Sequence, residues 1–198
     1  MQYFDNLPKI IYTDQNGVRS IRTDLLSRAS IIPQILSNPM LYYQYDIQDD
    51  DTPEIVAHKY YNDSYRYWIV LFANQMLDPQ WDWPLSTNQF NAYLNDKYGD
   101  EDIYSTIHHY EKSITSYDET TLTTTTNSVE ISEAEYNTLP IGPNTYTLPT
   151  GPVVVTISGS IVSVYDYELS VNEAKRTINI LNASYVDEIE SEIKKLFN

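Results

Sequence analysis

Two adjacent histidines, His108-His109, followed by Tyr110-Glu111, come closest in this chain to a metal-binding constellation. Zinc ligation needs ligands one helical turn apart, or widely separated with a third ligand. Successive strand residues point to opposite faces, so this pair predicts a structural role, with no metal and no other cofactor. Asp49-Asp50-Asp51 with Glu54 has the charge of a calcium loop, but it lacks the central glycine and the terminal glutamate of an EF-hand. It reads as a solvated helix-capping region. Twenty-eight Asp and Glu make carboxylate pairs so common that one at glycosidase spacing carries no information. No Gly-x-Ser-x-Gly, P-loop or Gly-x-Gly-x-x-Gly occurs, and there are five glycines in all. The absence of cysteine excludes thiolate catalysis, disulfides and Cys-based zinc or iron–sulfur sites. The expectation is a protein that is not an enzyme and has no small-molecule substrate.

The 198 residues carry a formal charge of −16, from 12 basic and 28 acidic side chains. That is the wrong sign for a phosphate-binding surface, so nucleic acid is not an expected partner. The longest apolar stretch, Tyr67 to Ala73, is far too short to span a membrane, and Met1 to Asn6 has no secretory pattern. Nineteen Tyr against four Phe is the compositional oddity. It fits either surface buried against partners or a hydroxyl-lined core.

The elements that must position these residues follow from local signals. Lys9 to Thr13 reads as a strand and Asn16-Gly17 as a tight turn, giving an N-terminal hairpin or extended arm. A short helical segment from Leu25 to Ile32 stops at Pro33. Tyr42 to Ile47 alternates as a strand. Thr52-Pro53-Glu54 then supplies an N-cap, an N1 proline and a first-turn carboxylate for a helix reaching about Tyr61, with Ile55 or Val56 and then Tyr60 inward. Asn62-Asp63-Ser64 breaks it and caps a second helix, with Tyr65, Trp68, Ile69, Phe72 and Met76 as its buried stripe. Asp78 to Leu85 is expected as a loop leading into a short strand or extended segment, and Phe90 to Tyr98 as a helix ending at Gly99.

From Ser113 to Asp166 the chain is β-prone, with the run Thr120 to Thr126 and repeated Pro and Gly breaks. Val153 to Ser158 and Ile161 to Tyr165 are expected to form a hairpin around Gly159. Arg176 to Leu181 is a strand, and Ser184 is the expected N-cap of an amphipathic last helix with Val186, Ile189, Ile193, Leu196 and Phe197 on one face.

Tyr45, Asp51-Thr52, Ile55, Ala57, Tyr60, Trp68, Leu71 and Asn74 together resemble the motif of a LysM module. With Tyr3-Phe4, Pro8, Ile11-Tyr12, Pro53-Glu54, Tyr67-Trp68, Asp78-Pro79, Asp82 to Leu85, Lys97 to Gly99 and Asn172 to Arg176, the chain outside about 113–165 is similar to the LysM-containing baseplate wedge subunits of T-even-like contractile-tailed phages. The resemblance implies a structural protein of the virion tail baseplate, assembled in the host cytoplasm. It would join neighbouring wedges, its partners being other wedge and hub-proximal subunits. The alternative is a LysM-type peptidoglycan- or chitin-binding module. Asp50 in place of a glycine and Pro53 after Thr52 depart from the sugar-binding pattern.

The expected fold is therefore α+β. An N-terminal arm and short helix (1–41) would precede a LysM-like β-α-α-β domain (42–99), a β-rich insertion (100–167) and a C-terminal strand plus amphipathic helix (168–198). Trp81, Trp83 and Pro84 have two readings, cap of the core or partner-facing hot spot. Lys175 and Arg176 are either a local ion pair with Glu173 or a dock for an acidic partner segment. Ile189, Ile193 and Phe197 complete the candidate partner interface.

Overall fold

The Thr52 hydroxyl accepts a hydrogen bond from the Ile55 N–H, and Pro53 fills the first helical position, so helix α1 runs Pro53–Tyr61. Asn62 ends it in the left-handed conformation at φ 52°, and the Asp63 carboxylate caps a 3-10 turn, Ser64–Arg66, that leads into α2, Tyr67–Ala73. The computed structural model describes residues 3–27, 31, 35, 38–149 and 151–197. The expected helix from Leu25 to Ile32 lies largely outside the described residues; Leu25 and Leu26 form a turn.

The remaining elements are β1 (Lys9–Thr13), β2 (Arg19–Thr23), β3 (Tyr42–Asp46), α3 (Pro79–Asp82), α4 (Thr87–Tyr98), β4 (Ile107–Asp118), β5 (Thr123–Ile131), α5 (Glu133–Tyr136), β6 (Gly142–Leu148), β7 (Gly151–Ser163), α6 (Val164–Glu173), β8 (Thr177–Leu181) and α7 (Val186–Phe197). The fold is mixed α and β. It divides into two compact units, residues 1–90 with 172–198, and residues 91–171.

In the first unit β3 pairs antiparallel with β8, from Tyr42 opposite Leu181 to Asp46 opposite Thr177. The core holds Val56, Ala57 and Tyr61 of α1, Trp68 to Leu71 of α2, Ile178, Ile180 and Leu181 of β8, and Val186 and Ile193 of α7. Val56, Ile69, Val70, Ile180, Leu181 and Val186 are at most 1% exposed. Each such burial contributes about 1.5–3 kcal/mol before entropy. A β-α-α-β arrangement is present, but its closing strand is β8, not a strand near Leu85. That segment instead contains the one-turn helix α3, capped by Asp78.

Two helical faces differ from expectation. In α1 the buried residues are Val56, Ala57 and Tyr61, while Ile55 and Tyr60 are 43% and 39% exposed. Tyr65 lies in the 3-10 turn, where the helical period does not apply, and is 59% exposed. The cap before α7 is Asn182, whose side chain accepts from Ser184 N at 3.0 Å; Ser184 sits inside the turn Ala183–Tyr185.

The second unit holds a four-stranded antiparallel sheet in the order β5-β4-β7-β6. Val153 to Ser163 is one continuous strand rather than a hairpin. Gly159 sits mid-strand opposite Lys112, where an added Cβ would lie 2.8 Å from the Tyr136 ring and 3.0 Å from Leu139. The glycine serves close packing, not a turn. Val164 to Glu173, expected partly as strand, is helical.

Candidate protein-docking surface

The groups with chemical potential are spent on each other. A register shift between Ile107 and His109 brings His108 and His109 together instead of to opposite faces, with their Nδ1 atoms 2.8 Å apart. His108 stacks on Tyr167 at 3.8 Å, and His109 Nε2 lies 3.2 Å from Glu111. Among the described residues no group of three or more His, Cys, Asp or Glu could hold a metal ion. In the acidic turn, Asp51 accepts from the Tyr45 hydroxyl, from Lys59 Nζ at 2.6 Å and from Gln48 N at 3.2 Å. Burial works to raise the Asp51 carboxyl, yet these donors outweigh it and hold the group below its ordinary range. Asp49 accepts from Thr87 N at 2.8 Å and so caps the start of α4.

In the second unit Glu168 is 6% exposed and fully served, by Lys97 at 2.7 Å, Tyr98 at 2.7 Å and Tyr93 at 3.2 Å. Burial raises its carboxyl, and the three donors bring it below the usual value. Both readings of the tyrosine excess have examples. Tyr45, Tyr61, Tyr93 and Tyr98 spend their hydroxyls internally, while Tyr43, Tyr104 and Tyr146 are more than half exposed.

The residues that carry the LysM resemblance take separate roles in the first unit. Thr52 caps α1, Ala57, Trp68 and Leu71 enter the core, and Asn74 hydrogen-bonds the backbone of β8. Tyr45 and Asp51 form the ionic network, with Tyr60 edge-on to Tyr45 at 5.4 Å. Ile55 and Tyr60 stay outside the core.

Of the eight partner-interface candidates, Trp81 is the one on open surface, at 65% exposure. Trp83 is buried and its indole N–H donates to the Asp51 carbonyl at 2.9 Å; Pro84 is buried beside it. The expectation that they face a partner is therefore replaced by the core-capping alternative. Lys175 donates to the Trp81 carbonyl at 2.5 Å, and Arg176 bonds Glu173 at 2.7 Å and the Ile47 carbonyl at 3.3 Å. These cations close loops of their own chain. Ile193 is buried, and Ile189 and Phe197 pack on the same core. Arg66 clips α7 down through Glu190 at 3.0 Å and Asp187 at 2.8 Å.

A family model described as base plate wedge protein 53 matches residues 20–196. The chain belongs to that family. A comparison with curated proteins found no match. The family is a structural one of the phage baseplate, so this wedge protein works in the virion tail, assembled with other baseplate subunits.

A wedge protein needs surface for its neighbours, and two places stand out, one on the N-terminal hairpin and one beside the last helix. In the β1–β2 hairpin every strand residue but Thr23 is exposed, and Ile11 and Ile21 face each other across the ladder at 72% and 77% exposure. The signal was there in the register: with the turn fixed at Asn16-Gly17, Ile11 falls opposite Ile21. The second place is a groove of about 660 Å³ beside α7, lined by Leu41, Phe72, Tyr185, Ile189 and Leu196. Its apolar wall is formed by the outer flank of the stripe whose centre enters the core.

Proposed function

We propose that this wedge protein is a non-enzymatic clamp that holds wedge-core and hub-proximal subunits of a contractile-tail baseplate together as it assembles in the host cytoplasm. The observation that carries this reading is the hairpin. Two strands alone are marginal in water, and here both faces are open, so a neighbouring subunit supplies what the fold leaves out. Its charge agrees: residues 9–23 carry Lys9, Arg19 and Arg22 against Asp14, on a chain of net −16. The cationic hairpin steers toward acidic partner surface, while the acidic remainder keeps the free subunit soluble. The β3-α1-α2-β8 body is, in this reading, a LysM-like wedge serving as the rigid base from which the hairpin, Trp81 and the groove beside α7 are presented.

Coexpression with the wedge subunits of the same phage, followed by size-exclusion chromatography, tests the clamp. Wild type is expected to be monomeric alone and to coelute with the wedge, and the double substitution Ile11→Ser with Ile21→Ser to fold normally and elute apart. Unchanged coelution of the folded variant would remove the hairpin from the clamp. Specific retention of the wild type on purified murein, without wedge binding, would replace the clamp by the glycan-binding reading.

A further inference from the structure

The four-stranded sheet of the second unit sorts its side chains by face. On one face the ladder places Ser128, Ser113 and Ser158 in one row and Thr126, Thr115 and Thr156 in the next. The Ser113 and Ser128 hydroxyls are 2.8 Å apart and those of Thr115 and Thr126 are 3.2 Å apart. The opposite face has an aliphatic spine along β7, Val153, Val155, Ile157 and Ile161, flanked by Ile114, Val129 and Tyr146, with the polar Lys112, Ser116, Thr125, Asn127 and Asn144 set among them. On this face Val129, Tyr146, Leu148 and Ile161 are 58%, 54%, 49% and 50% exposed, whereas Tyr117, at 37%, is the large hydrophobic exposed on the hydroxyl face within the paired rows.

Within the unit, what covers the apolar face is small. The turn of α5 sets Tyr136 against Tyr110, ring centroids 4.9 Å apart, and over Gly159. The rows from Ile114 to Leu148 lie beyond it. An antiparallel sheet that gathers most of its aliphatic side chains on one face and most of its hydroxyls on the other has one face suited to being covered.

Charge selects the occupant. Residues 91–171 contain twelve acidic and two basic side chains; on this face Asp118 stands at one end and Lys112 lies opposite Val129, Glu119 follows Asp118, and Glu133 lies beside Tyr110. A second copy would bring the same acidic rim and be repelled. We propose that this face seats another protein subunit of the baseplate whose contact surface is aliphatic at its centre and rich in Lys and Arg at its rim. The inference rests on the clamp reading but uses a different surface from the hairpin.

The chain has no cysteine, so single cysteines report each face separately. Val129→Cys and Tyr146→Cys probe the aliphatic face, and Thr126→Cys and Thr145→Cys the hydroxyl face, by maleimide labelling of the free protein and of the coexpressed wedge complex. All four are expected to react in the free protein. In the complex, labelling at positions 129 and 146 should slow by about tenfold or more, as in the water-excluded centre of an interface, while 126 and 145 react as before. Protection should weaken as salt is raised from about 0.1 to 0.5 M, as rim charges are screened.

Coelution with both faces labelled alike would overturn this inference and leave the clamp standing; failure to coelute would remove both. Protection indifferent to salt would overturn the basic rim. Concentration-dependent dimers of the free protein with positions 129 and 146 protected would make a second copy the occupant and overturn the proposal.

Discussion

The side-chain amide of Asn74 grips Asn179 at both backbone groups, donating to its carbonyl at 2.9 Å and accepting from its N–H at 2.7 Å. One edge of β8 is paired with β3, so Asn74 stands in for a third strand on the other edge and leaves its groups satisfied. It also donates to the Val70 carbonyl at 2.8 Å, tying the end of α2 to the sheet. Asn74→Ala should cost about 1–3 kcal/mol. Asn74→Asp should cost more than Ala, because a carboxylate can accept only and would face the carbonyls of Asn179 and Val70. Urea denaturation of the three proteins checks the order.

Acid should weaken the protein through Asp51 and Glu168. Burial opposes ionisation at both, but hydrogen-bond donors outweigh it, so each folded carboxyl titrates below its unfolded value. A depressed carboxyl stabilises the fold above the unfolded pKa of roughly 4 and loses that contribution as pH falls through the folded value. The stability gaps between wild type and Asp51→Asn, and between wild type and Glu168→Gln, should be constant from pH 7 to about 5 and close below about 4. A pH series of denaturation curves measures this.

Two neighbouring tyrosines predict opposite effects of losing a hydroxyl. The Tyr61 hydroxyl donates to the Leu181 carbonyl at 3.1 Å, and burial pushes its pKa up. Tyr61→Phe should cost about 0.5–1.5 kcal/mol. The Tyr42 hydroxyl is buried with no hydrogen-bond partner among the described residues. Tyr42→Phe should be neutral or stabilising by up to about 1 kcal/mol, since it removes a desolvated group that nothing satisfies. Matched thermal melts separate the two.

The last helix should behave as part of the body. Ile193 is 6% exposed and Leu196 is 65% exposed on the same helix. Ile193→Ala should cost about 2–5 kcal/mol and Leu196→Ala less than about 0.5. Deletion after Leu181 should unfold the first unit, detected as loss of near-UV circular dichroism from Trp68 and Trp83.

What could be read from the sequence was what the chain decides within a few residues. Thr52-Pro53-Glu54 starts α1 and Asn62 ends it because caps are local hydrogen bonds and local dihedrals. Asn16-Gly17 placed the first hairpin for the same reason, with Gly17 at φ 79°. Gly159 misled because a mid-strand glycine and a turn glycine look alike until Tyr136 and Leu139 are in place. The partner of β3 could not be found by patterning, since it lies more than 130 residues away, beyond the reach of any local signal. The candidate site suffered most. Trp83 and Trp81 share composition and neighbourhood, yet a hydrogen bond to Asp51 buries one and leaves the other in solvent.

The pairing of β3 with β8 also sets a timetable. Residues 74–176, which include the whole four-stranded sheet, are synthesised between the end of α2 and the strand that closes the first core. At roughly 5–20 residues per second, that interval lasts about 5–20 s on the ribosome. During it the β4–β5 hairpin and the β6–β7 hairpin can close on their own near neighbours, while Trp68, Ile69 and Val70 wait without a lid. The second unit is thus positioned to fold first although part of the first precedes it, and the body is sealed by β8 and α7. A nascent protein that has not yet released β8 and α7 lacks the strand and helix that close the first core, so the wedge body forms only after both have emerged.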